Sequence, residues 1–267
     1  MRRLSSCSSS TAHGLARRRS WRARGTGTLI ATDAGGKPGT VEAAYALQAE
    51  VAALEGPRIG WKIGATNAAV QERLGFDVPF YAPLFAPFVA GNGAALSIVP
   101  VHGVGMESEF AVTMGRDLAP RAAPYSRVEV AEAVVELAPA IEVVGCRVPG
   151  WPADPEPLMI IADDGCNLAF VAGARAADWR SLDLPAHAVR VTVGGEERAS
   201  GTGADVMGHP LEALAWLANQ LSAAGETLRA GEVVTTGTVT GFTPVAPGDT
   251  VVADFGSLGR VEVSFTA

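Results

Sequence analysis

Strand patterns dominate the C-terminal part of the chain and follow one another with no helix between them. Stretches 233–238, 250–255 and 260–265 are each typical of a short strand, and Pro247-Gly248-Asp249 supplies a turn between the first two. A doubly wound parallel sheet would need a helix between successive strands. The clustering therefore predicts an α+β fold rather than a doubly wound sheet.

Three helices and several further strands are predicted upstream of this cluster. Thr40 is a plausible N-cap for a helix that ends at Gly56-Pro57, and residues 210–224 carry a leucine stripe typical of a second helix. Strands are expected at 58–64, 106–114, 140–147 and 189–193. A capping box at Ser126-Arg127-Val128-Glu129 predicts a helix ending before Pro139. Residues 75–100 suggest a long ordered loop.

Charge is distributed unevenly along the 267 residues. Residues 1–37 carry eight of the 21 basic residues and one of the 28 acidic residues. The Ser/Arg-rich segment 1–36 resembles an organellar transit peptide in composition, and we expect a poorly ordered leader without a functional role. Residues 37–267 are expected to form one catalytic domain, with a helix and strand portion at 37–75 and a β-rich metal-binding core at 76–267.

Composition excludes several classes of partner. The net charge of −7 argues against nucleic acid as a main partner, and no apolar run approaches the ~18 residues of a membrane span. Three cysteines are too few for a disulfide framework and fit a reducing compartment, so we expect a cytoplasmic protein.

The most informative segment is Met106-Glu107-Ser108-Glu109-Phe110, where two acids lie in an apolar strand. Glu107 and Glu109 are two positions apart, so both side chains leave the same face of the strand. An exposed, solvated face is the simplest explanation of a lone pair of this kind. The alternative is a bound cation, and oxygen ligands alone select ions such as Mg²⁺, Mn²⁺ or Ca²⁺.

A third carboxylate and a single lysine favour the metal site. Glu142 lies in the apolar strand pattern Ala140-Ile141-Glu142-Val143-Val144, where an unpaired buried carboxylate would cost several kcal/mol. Lys62 is the only lysine after residue 37 and lies in Gly60-Trp61-Lys62-Ile63-Gly64. Its local sequence alone also fits a lysine that extends from the surface.

Other polar residues are explained as well by structure as by function. Asp163-Asp164 fits a helix start or turn, His209 fits a helix N-terminus, and Cys146 and Cys166 fit small core residues. Sequence motifs of serine hydrolases, P-loops and dinucleotide-binding helices do not occur.

Taken in order, the motifs resemble those of the fumarylacetoacetate hydrolase superfamily, in its 2-keto-4-pentenoate hydratase and 4-oxalocrotonate decarboxylase branch. The resemblance covers residues 38–267. Its motifs are Gly60-Trp61-Lys62-Ile63-Gly64-Ala65-Thr66, Gly75-Phe76-Asp77-Val78-Pro79, Glu107-Ser108-Glu109-Phe110, Glu142-Val143-Val144 with Arg147, Ile161-Ala162-Asp163-Asp164, Gly203-Ala204-Asp205-Val206-Met207-Gly208-His209-Pro210, Ala215-Trp216-Leu217-Ala218-Asn219, Gly231-Glu232-Val233-Val234-Thr235-Thr236-Gly237, Gly248-Asp249 and Phe255-Gly256-Ser257-Leu258-Gly259.

The resemblance implies a mixed β-sheet, or β-roll, with flanking helices. It also implies Mg²⁺ or Mn²⁺ as cofactor and a small 2-oxo or 2-hydroxydienoate acid as substrate. The implied metal ligands are Glu107, Glu109 and Glu142; the implied catalytic residues are Lys62 and Asp77; and the implied substrate-binding residues are Arg147, Asp164, Cys166 and Thr238. A homo-oligomer is expected, with an aldolase or decarboxylase as a candidate partner enzyme.

Departures from the family pattern bear on the substrate. An aspartate that the family often has after Glu142-Val143-Val144 is Gly145 here, and the family's Asn and Ser are replaced by Asp164 and Cys166. An added acid near the metal would disfavour a doubly charged substrate, which favours a monocarboxylate dienoate.

Four functions remain open at this point. The first is a metal-dependent hydratase of 2-hydroxydienoates in aromatic or steroid-ring catabolism, and the second is the related decarboxylase. The third is hydrolysis of a C–C bond in an acylpyruvate, for which the N-terminal loop has no Glu/His pair to activate water. The fourth is a non-catalytic partner subunit.

Overall fold

A computed structural model of the chain describes residues 27–30 and 37–267. The predicted leader, 1–36, lies outside the described residues apart from 27–30. These four residues pack on the body: the Ile30 side chain is buried, and its backbone N–H donates to the Arg147 carbonyl at 2.6 Å. The packed domain therefore includes a short piece of the segment that the sequence suggests is a separate leader.

Five α-helices lie in the described part of the chain. They are α1 (Val41–Glu55), α2 (Ala68–Leu74), α3 (Arg127–Ala133), α4 (Pro157–Ala162) and α5 (Pro210–Ala223). Thr40 caps α1 by accepting from the Ala43 N–H, and the capping box at Ser126 and Glu129 opens α3, both as predicted. No helix among these is long and apolar enough to cross a membrane.

Thirteen strands in the same part of the chain form two sheets. The strands are β1 (Arg58–Gly64), β2 (Phe80–Phe85), β3 (Val89–Gly91), β4 (Ala94–Ser97), β5 (Gly105–Met114), β6 (Val134–Val144), β7 (Asn167–Ala172), β8 (Ala188–Val193), β9 (Glu196–Thr202), β10 (Val233–Thr238), β11 (Thr243–Pro244), β12 (Thr250–Asp254) and β13 (Arg260–Thr266). The larger sheet has the order β2-β1-β10-β5-β6-β7-β3, with β11 paired to β5, and the smaller has the order β4-β13-β12-β8-β9.

Both sheets are mixed. Strand pairs β1–β10, β3–β7 and β4–β13 are parallel, whereas the remaining pairs are antiparallel. The α+β class, predicted from the clustering of strands, and the mixed sheet that the resemblance implies are both confirmed.

The predicted long loop at 75–100 is wrong, because this segment contains β2, β3 and β4. All three are edge strands, and an edge strand pairs on one side only. Pro83 lies within β2, where its missing N–H does not interrupt a central ladder. The prolines and glycines that suggested a loop are therefore compatible with strands at the margins of the sheets.

The predicted helix up to Pro139 is also too long, because α3 ends at Ala133 and β6 begins at once at Val134. Pro139 lies inside this strand, opposite Phe110 of β5. The Pro139 carbonyl accepts from Gly173, one residue beyond the end of β7, so the missing N–H falls where the ladder to β7 stops. A proline is tolerated in an interior strand at such a position.

Alternation along β5 separates the hydrophobic core from a polar face. Met106, Phe110, Val112 and Met114 join a core that also contains apolar residues of β8, β12, β13 and α5. The odd-numbered residues, including Glu107 and Glu109, leave the opposite face of the strand. The fold thus uses one side of β5 for the core and the other for the acids.

Candidate metal and substrate site

Glu107, Glu109 and Glu142 converge on one face of the larger sheet. Glu107 lies directly opposite Glu142 in the antiparallel pair β5–β6, and Glu109 is two residues further along β5. One carboxylate oxygen from each lies within 4.8 Å of the other two. Glu109 and Glu142 are buried and Glu107 is half-buried, so a solvated acidic face, the simplest explanation of the Glu-x-Glu pair, is wrong.

Two of the buried carboxylate oxygens lack a hydrogen-bond partner. Glu109 Oε2 accepts from the Gly237 N–H at 2.7 Å, and Glu142 Oε1 accepts from Asn167 Nδ2 at 2.9 Å. Glu109 Oε1 and Glu142 Oε2 accept from no donor among the residues that the structure describes. Two oxygens that bind one Mg²⁺ or Ca²⁺ ion at about 2.1–2.5 Å are at most about 4–5 Å apart, so this donor set fits a hard divalent cation.

Burial and mutual repulsion make the cluster a strong acceptor of positive charge. Burial, reinforced by the nearby Glu142 carboxylate and opposed by Lys62 and Arg73, raises the pKa of Glu107 to about 7. Burial likewise raises the pKa of Glu109 well above its ordinary value, with Glu142 and Glu107 adding to the effect. A divalent cation would relieve the repulsion that a proton relieves in its absence.

Lys62 of β1 is buried beside these acids. Its side chain is 3% exposed, and its Nζ lies 3.2 Å from Glu142 Oε1 and donates to the Gly165 carbonyl at 2.8 Å. Burial alone would lower the pKa of Lys62, but the Coulombic attraction of the three glutamates outweighs it and raises that pKa above its ordinary value. A lysine that extends to the surface is therefore excluded, and the charge of the four groups sums to −2.

A left-handed turn after α4 forms the wall beside Lys62. Asp164, Gly165 and Cys166 all have positive φ angles, near +60°. A Cβ on Gly165 would lie 3.0 Å from the Phe80 ring and 3.1 Å from Lys62 Cδ, so the close approach needs glycine. The turn keeps Asp164 and Cys166 buried on either side of Gly165, whose carbonyl accepts from Lys62, and their roles in substrate binding stay predictions.

An irregularity in β10 brings one backbone group, the Gly237 N–H, to the glutamates. Its register with β5 shifts between Thr235 and Thr238, and Gly237 has a φ of +100°. A Cβ on Gly237 would lie 2.1 Å from Thr66 Oγ1, so this position also requires glycine. Thr238 pairs with Glu109, and its buried hydroxyl has no hydrogen-bond partner. The predicted Thr238 thus lies next to the acid cluster with a free hydroxyl.

Arg147 and Asp77 are less closely tied to the site. Arg147 is fully buried, and its Nε donates to Asp163 Oδ1 at 2.7 Å while Nη2 donates to the Asp163 carbonyl at 2.9 Å. This pairing gives Arg147 a structural partner. Asp77 lies on an exposed loop after α2, and no contact between Asp77 and the glutamates is found among the described residues.

A second cluster of potential ligands lies behind the turn. The Cys146 and Cys166 thiols and the Asp163 carboxylate lie within 4.8 Å of one another, and all three residues are buried. Burial raises the pKa of the Cys146 thiol, with Cys166 adding to the effect. Because Asp163 is already bound by Arg147, these cysteines fit the small core residues that the sequence suggested.

Sequence reasoning missed three groups that orient the glutamates and the lysine: Asn167, the Gly165 carbonyl and the Gly237 N–H. Asn167 directly follows Cys166, so its place in the turn was visible but its partner was not. Backbone groups leave no signal in a side-chain motif. The glycines themselves were the available sign, since glycine marks a close backbone approach.

Comparison with known proteins assigns this site to a family. The sequence profile described as "Fumarylacetoacetate (FAA) hydrolase C-terminal" matches residues 65–266, which include all three glutamates. The chain belongs to the fumarylacetoacetate hydrolase family. The resemblance inferred from the motifs is confirmed.

Relatives within the family include hydratases at about one-third identity. The chain is 35% identical to a 2-keto-4-pentenoate hydratase of Burkholderia vietnamiensis over 232 residues, which are 85% of this chain and 87% of that protein. It is 34% identical to a 2-hydroxyhexa-2,4-dienoate hydratase of Comamonas testosteroni over 233 residues, again 85% and 87% of the two chains.

Solved structures of the family share the fold over the whole chain. A 4-oxalocrotonate decarboxylase from Pseudomonas putida G7, complexed with magnesium and adipate, superposes with a TM-score of 0.87 at 28% identity. The match covers 99% of this chain and 100% of that one. The predicted fumarylacetoacetate-hydrolase-like fold is thereby confirmed.

Proposed function

We propose that this enzyme is a divalent-metal-dependent hydratase that adds water to a 2-hydroxy-2,4-dienoate and yields a 4-hydroxy-2-oxo acid. The convergence of Glu107, Glu109 and Glu142 beside the buried Lys62 carries the proposal. The hydratase relatives, at up to 35% identity over most of the chain, support the reaction class. The solved decarboxylase was obtained with magnesium and with calcium, which supports a hard divalent ion; we propose Mg²⁺ or Mn²⁺.

The three glutamates would hold the ion, whose Lewis acidity would stabilise negative charge that develops on the substrate's 2-oxygen. Lys62 would donate to the same region of the substrate, because the described residues offer its ammonium two oxygens and an ammonium has three N–H donors. The positive charge of Lys62 also offsets part of the negative charge of the buried acids. We assign to Lys62 the transfer of a proton to or from the substrate chain.

Three other residues would complete the substrate site. The free Thr238 hydroxyl next to Glu109 is placed to donate to the substrate carboxylate. Asp164 and Cys166, on the left-handed turn, would line the wall beside the substrate chain. Asp77 remains a proposed acid/base on a loop, and Arg147 a proposed contributor that acts through its tie to Asp163.

Loss of the dienol absorbance tests the reaction. We expect 2-hydroxypenta-2,4-dienoate to be consumed in the presence of Mg²⁺ or Mn²⁺ and to persist after chelation with EDTA. Glu107→Gln should weaken both metal binding and turnover, whereas Glu262→Gln, on the solvent side of β13, should change neither. An enzyme that turns over several dienoates equally well after chelation would contradict the metal assignment.

A decarboxylase is the second candidate, because the solved 4-oxalocrotonate decarboxylase matches essentially the full chain. Release of CO₂ from 4-oxalocrotonate, measured beside hydration of the dienoate, separates the two reactions. We expect the hydration rate to exceed CO₂ release, and the opposite order would assign the chain to the decarboxylases.

We further propose a cytoplasmic homo-oligomer that passes its product to an aldolase or receives substrate from a decarboxylase. Two free, buried cysteines support a reducing compartment. Val89 and Val99 are exposed and line one surface cavity, and this apolar surface supports self-association. Light scattering at several concentrations tests the oligomer, and a concentration-independent monomer mass would contradict it.

A further inference from the structure

Arg73 lies close to the candidate site, and no acidic residue among those that the structure describes forms an ion pair with it. It lies in the last turn of α2, and its guanidinium carbon is 5.8 Å from the ring centre of Trp151 and 6.0 Å from that of Phe242. Its side chain is exposed, and the residues that the structure describes offer it neither a hydrogen bond nor an ion pair. The two rings hold the charge in place without neutralising it.

The two rings that hold Arg73 also lie at one end of the row of glutamates on β5. Gly105, Glu107 and Glu109 alternate along one face of β5. Phe242 covers Gly105, since a Cβ there would lie 2.4 Å from the ring. Trp151 meets Phe242 edge-on at 5.6 Å and donates its indole N–H to the Gly103 carbonyl at 3.0 Å. The order along the face is therefore Glu109, Glu107, then an aromatic wall that carries Arg73.

Glu107 lies on the side where the cluster of glutamates opens to solvent. It is half-buried, whereas Glu109 and Glu142 are buried. Phe242, one of the two rings beside Arg73, covers Gly105, which is next to Glu107 on this face of β5. A small acid that enters toward the glutamates would thus pass the guanidinium.

We propose that Arg73 is a specificity-determining residue that binds a second, distal carboxylate of the substrate, so that the site prefers dicarboxylic 2-oxo acids. The proposal rests on the proposed function, in which the 2-oxo end lies among the glutamates. Positions two apart on a strand are about 6.6 Å apart, and the five C–C bonds of an extended six-carbon acid span about 6 Å. The distal group of such an acid therefore reaches the aromatic wall.

This inference reverses the expectation of a singly charged substrate. That expectation came from Asp164, which adds one negative charge near the lysine. Asp164 is buried and has interactions of its own, whereas Arg73 is exposed and uncompensated. A free guanidinium with an open donor fork is the group that binds a carboxylate with two parallel hydrogen bonds.

Two unreactive ligands of equal length test the proposal on the full chain loaded with Mn²⁺. Calorimetry would give the Kd of 2-oxoadipate, which has a distal carboxylate, and of 2-oxohexanoate, which has a methyl group there. We expect the wild type to prefer 2-oxoadipate by about tenfold or more, the effect of one charge-assisted hydrogen-bonded pair. Arg73→Gln should remove this preference and leave the Kd of 2-oxohexanoate within about twofold.

Two further variants serve as controls. Arg73→Lys should keep part of the preference, because the charge remains but the planar fork is lost. Arg198→Gln removes an equally exposed arginine from β9, where it pairs with Glu196, and should leave both Kd values unchanged. This pair distinguishes a local contact from a general effect of net charge.

Each outcome decides between the proposals. No preference in the wild type, or equal weakening of both ligands by Arg73→Gln, would overturn the role of Arg73 and leave the proposed hydratase intact. Failure of both acids to bind the Mn²⁺-loaded wild type would contradict the proposed function itself. Binding needs no turnover, so an inactive preparation does not blur the result.

Discussion

Gly165 is the residue at which a single methyl group would most directly disturb Lys62. Gly165→Ala adds a Cβ about 3 Å from the Phe80 ring and from Lys62 Cδ, at a φ of +60°. We expect a loss of about 1–2 kcal/mol in the free energy of unfolding from the left-handed backbone, and a fall of about 100-fold in kcat/KM from displacement of the lysine.

Gly208→Ala is the matched control for this substitution. Gly208 also has a positive φ, +77°, but a Cβ there would meet nothing within 4 Å. Denaturant unfolding should show a similar loss of stability in both variants, while dienol decay should slow in Gly165→Ala alone. Equal activity of the two variants would remove the turn from the catalytic site.

Asn167 orients Glu142, and its removal should weaken the binding of the metal without removing a ligand. The Asn167 amide donates to Glu142 Oε1 at 2.9 Å. Loss of such an outer hydrogen bond typically costs about 10–100-fold in metal affinity. We therefore expect Asn167→Ala to raise the Kd for Mn²⁺ by that factor in a calorimetric titration.

Asn92→Ala provides the comparison for Asn167→Ala. Asn92 also uses its amide for hydrogen bonds, to the backbone of Arg260 and Glu262, but on an exposed turn of the smaller sheet. The Kd of the Asn92→Ala protein for Mn²⁺ should equal that of the wild type. An unchanged Kd in Asn167→Ala would mean that Glu142 does not need its amide partner to bind the ion.

The residues that could be predicted from sequence are those whose chemistry conflicts with their surroundings. Glu107, Glu109 and Glu142 are charged groups in apolar strands, and Lys62 is a lone lysine between glycines, so each was conspicuous. Arg73 and Asn167 were not, because a charged residue on a short helix and an amide after a turn are common. Their meaning depends on partners that are 78 and 25 positions away in the chain: Trp151 and Glu142.

Among the helices and strands, α3 has an N-terminal capping box whose contribution to stability depends on pH. Glu129 accepts from the Ser126 backbone N–H and hydroxyl, and these bonds together with Arg121 lower the pKa of Glu129 to about 2. A lowered pKa in the folded state adds stability above the ordinary pKa near 4.5 that disappears as the pH falls toward 2. Glu129→Gln should therefore reduce the loss of stability between pH 5 and pH 3.

Glu132→Gln, one turn further along α3, separates this effect from a change in net charge. Glu132 is exposed and contacts Arg116 only at 3.5 Å. Urea midpoints measured at pH 5, 4 and 3 should fall as steeply in Glu132→Gln as in the wild type. If the urea midpoint of Glu129→Gln fell with pH as steeply as that of the wild type, the capping box would be excluded as a source of acid sensitivity.

Element boundaries could be predicted where local chemistry decides them and not where pairing decides them. The start of α1 at Thr40 and that of α5 at His209 follow from side chains that accept from backbone N–H groups a few residues ahead. The edge strands at 80–97 and the early end of α3 depend on distant partners. Val134 enters β6 rather than a third helical turn because β5 offers it a neighbour at Met114.

For the whole molecule, the arrangement of the larger sheet concentrates opposing charges at one place. Strands β1, β10, β5 and β6 are neighbours, so Lys62, Gly237 and the three glutamates meet although they span 175 positions of the chain. The motifs indicated which residues matter, but their meeting point is a property of strand order. The fold could be assigned from resemblance, whereas the residual charge of −2 at the site needed the contacts.

That residual charge predicts a stabilising effect of metal that grows with pH. The raised pKa of Glu107, about 7 against an ordinary 4.5, means that the folded state holds this proton more tightly than the unfolded state. The metal-free protein should therefore lose stability as the pH rises from about 4.5 to about 7. Above that range Glu107 is ionised, the acids repel one another more strongly, and a divalent ion has more repulsion to relieve.

Thermal unfolding with and without Mn²⁺ at pH 6 and pH 8 measures this effect. An ion at about 100 times its Kd adds about 2.7 kcal/mol, or roughly 5–10 °C in Tm for a domain of this size, and we expect the larger shift at pH 8. Glu107→Gln, which removes one titrating group and one ligand, should show a smaller shift than the wild type and a smaller difference between the two pH values. A shift that is larger at pH 6 in the wild type would mean that protons and the metal do not compete for these oxygens.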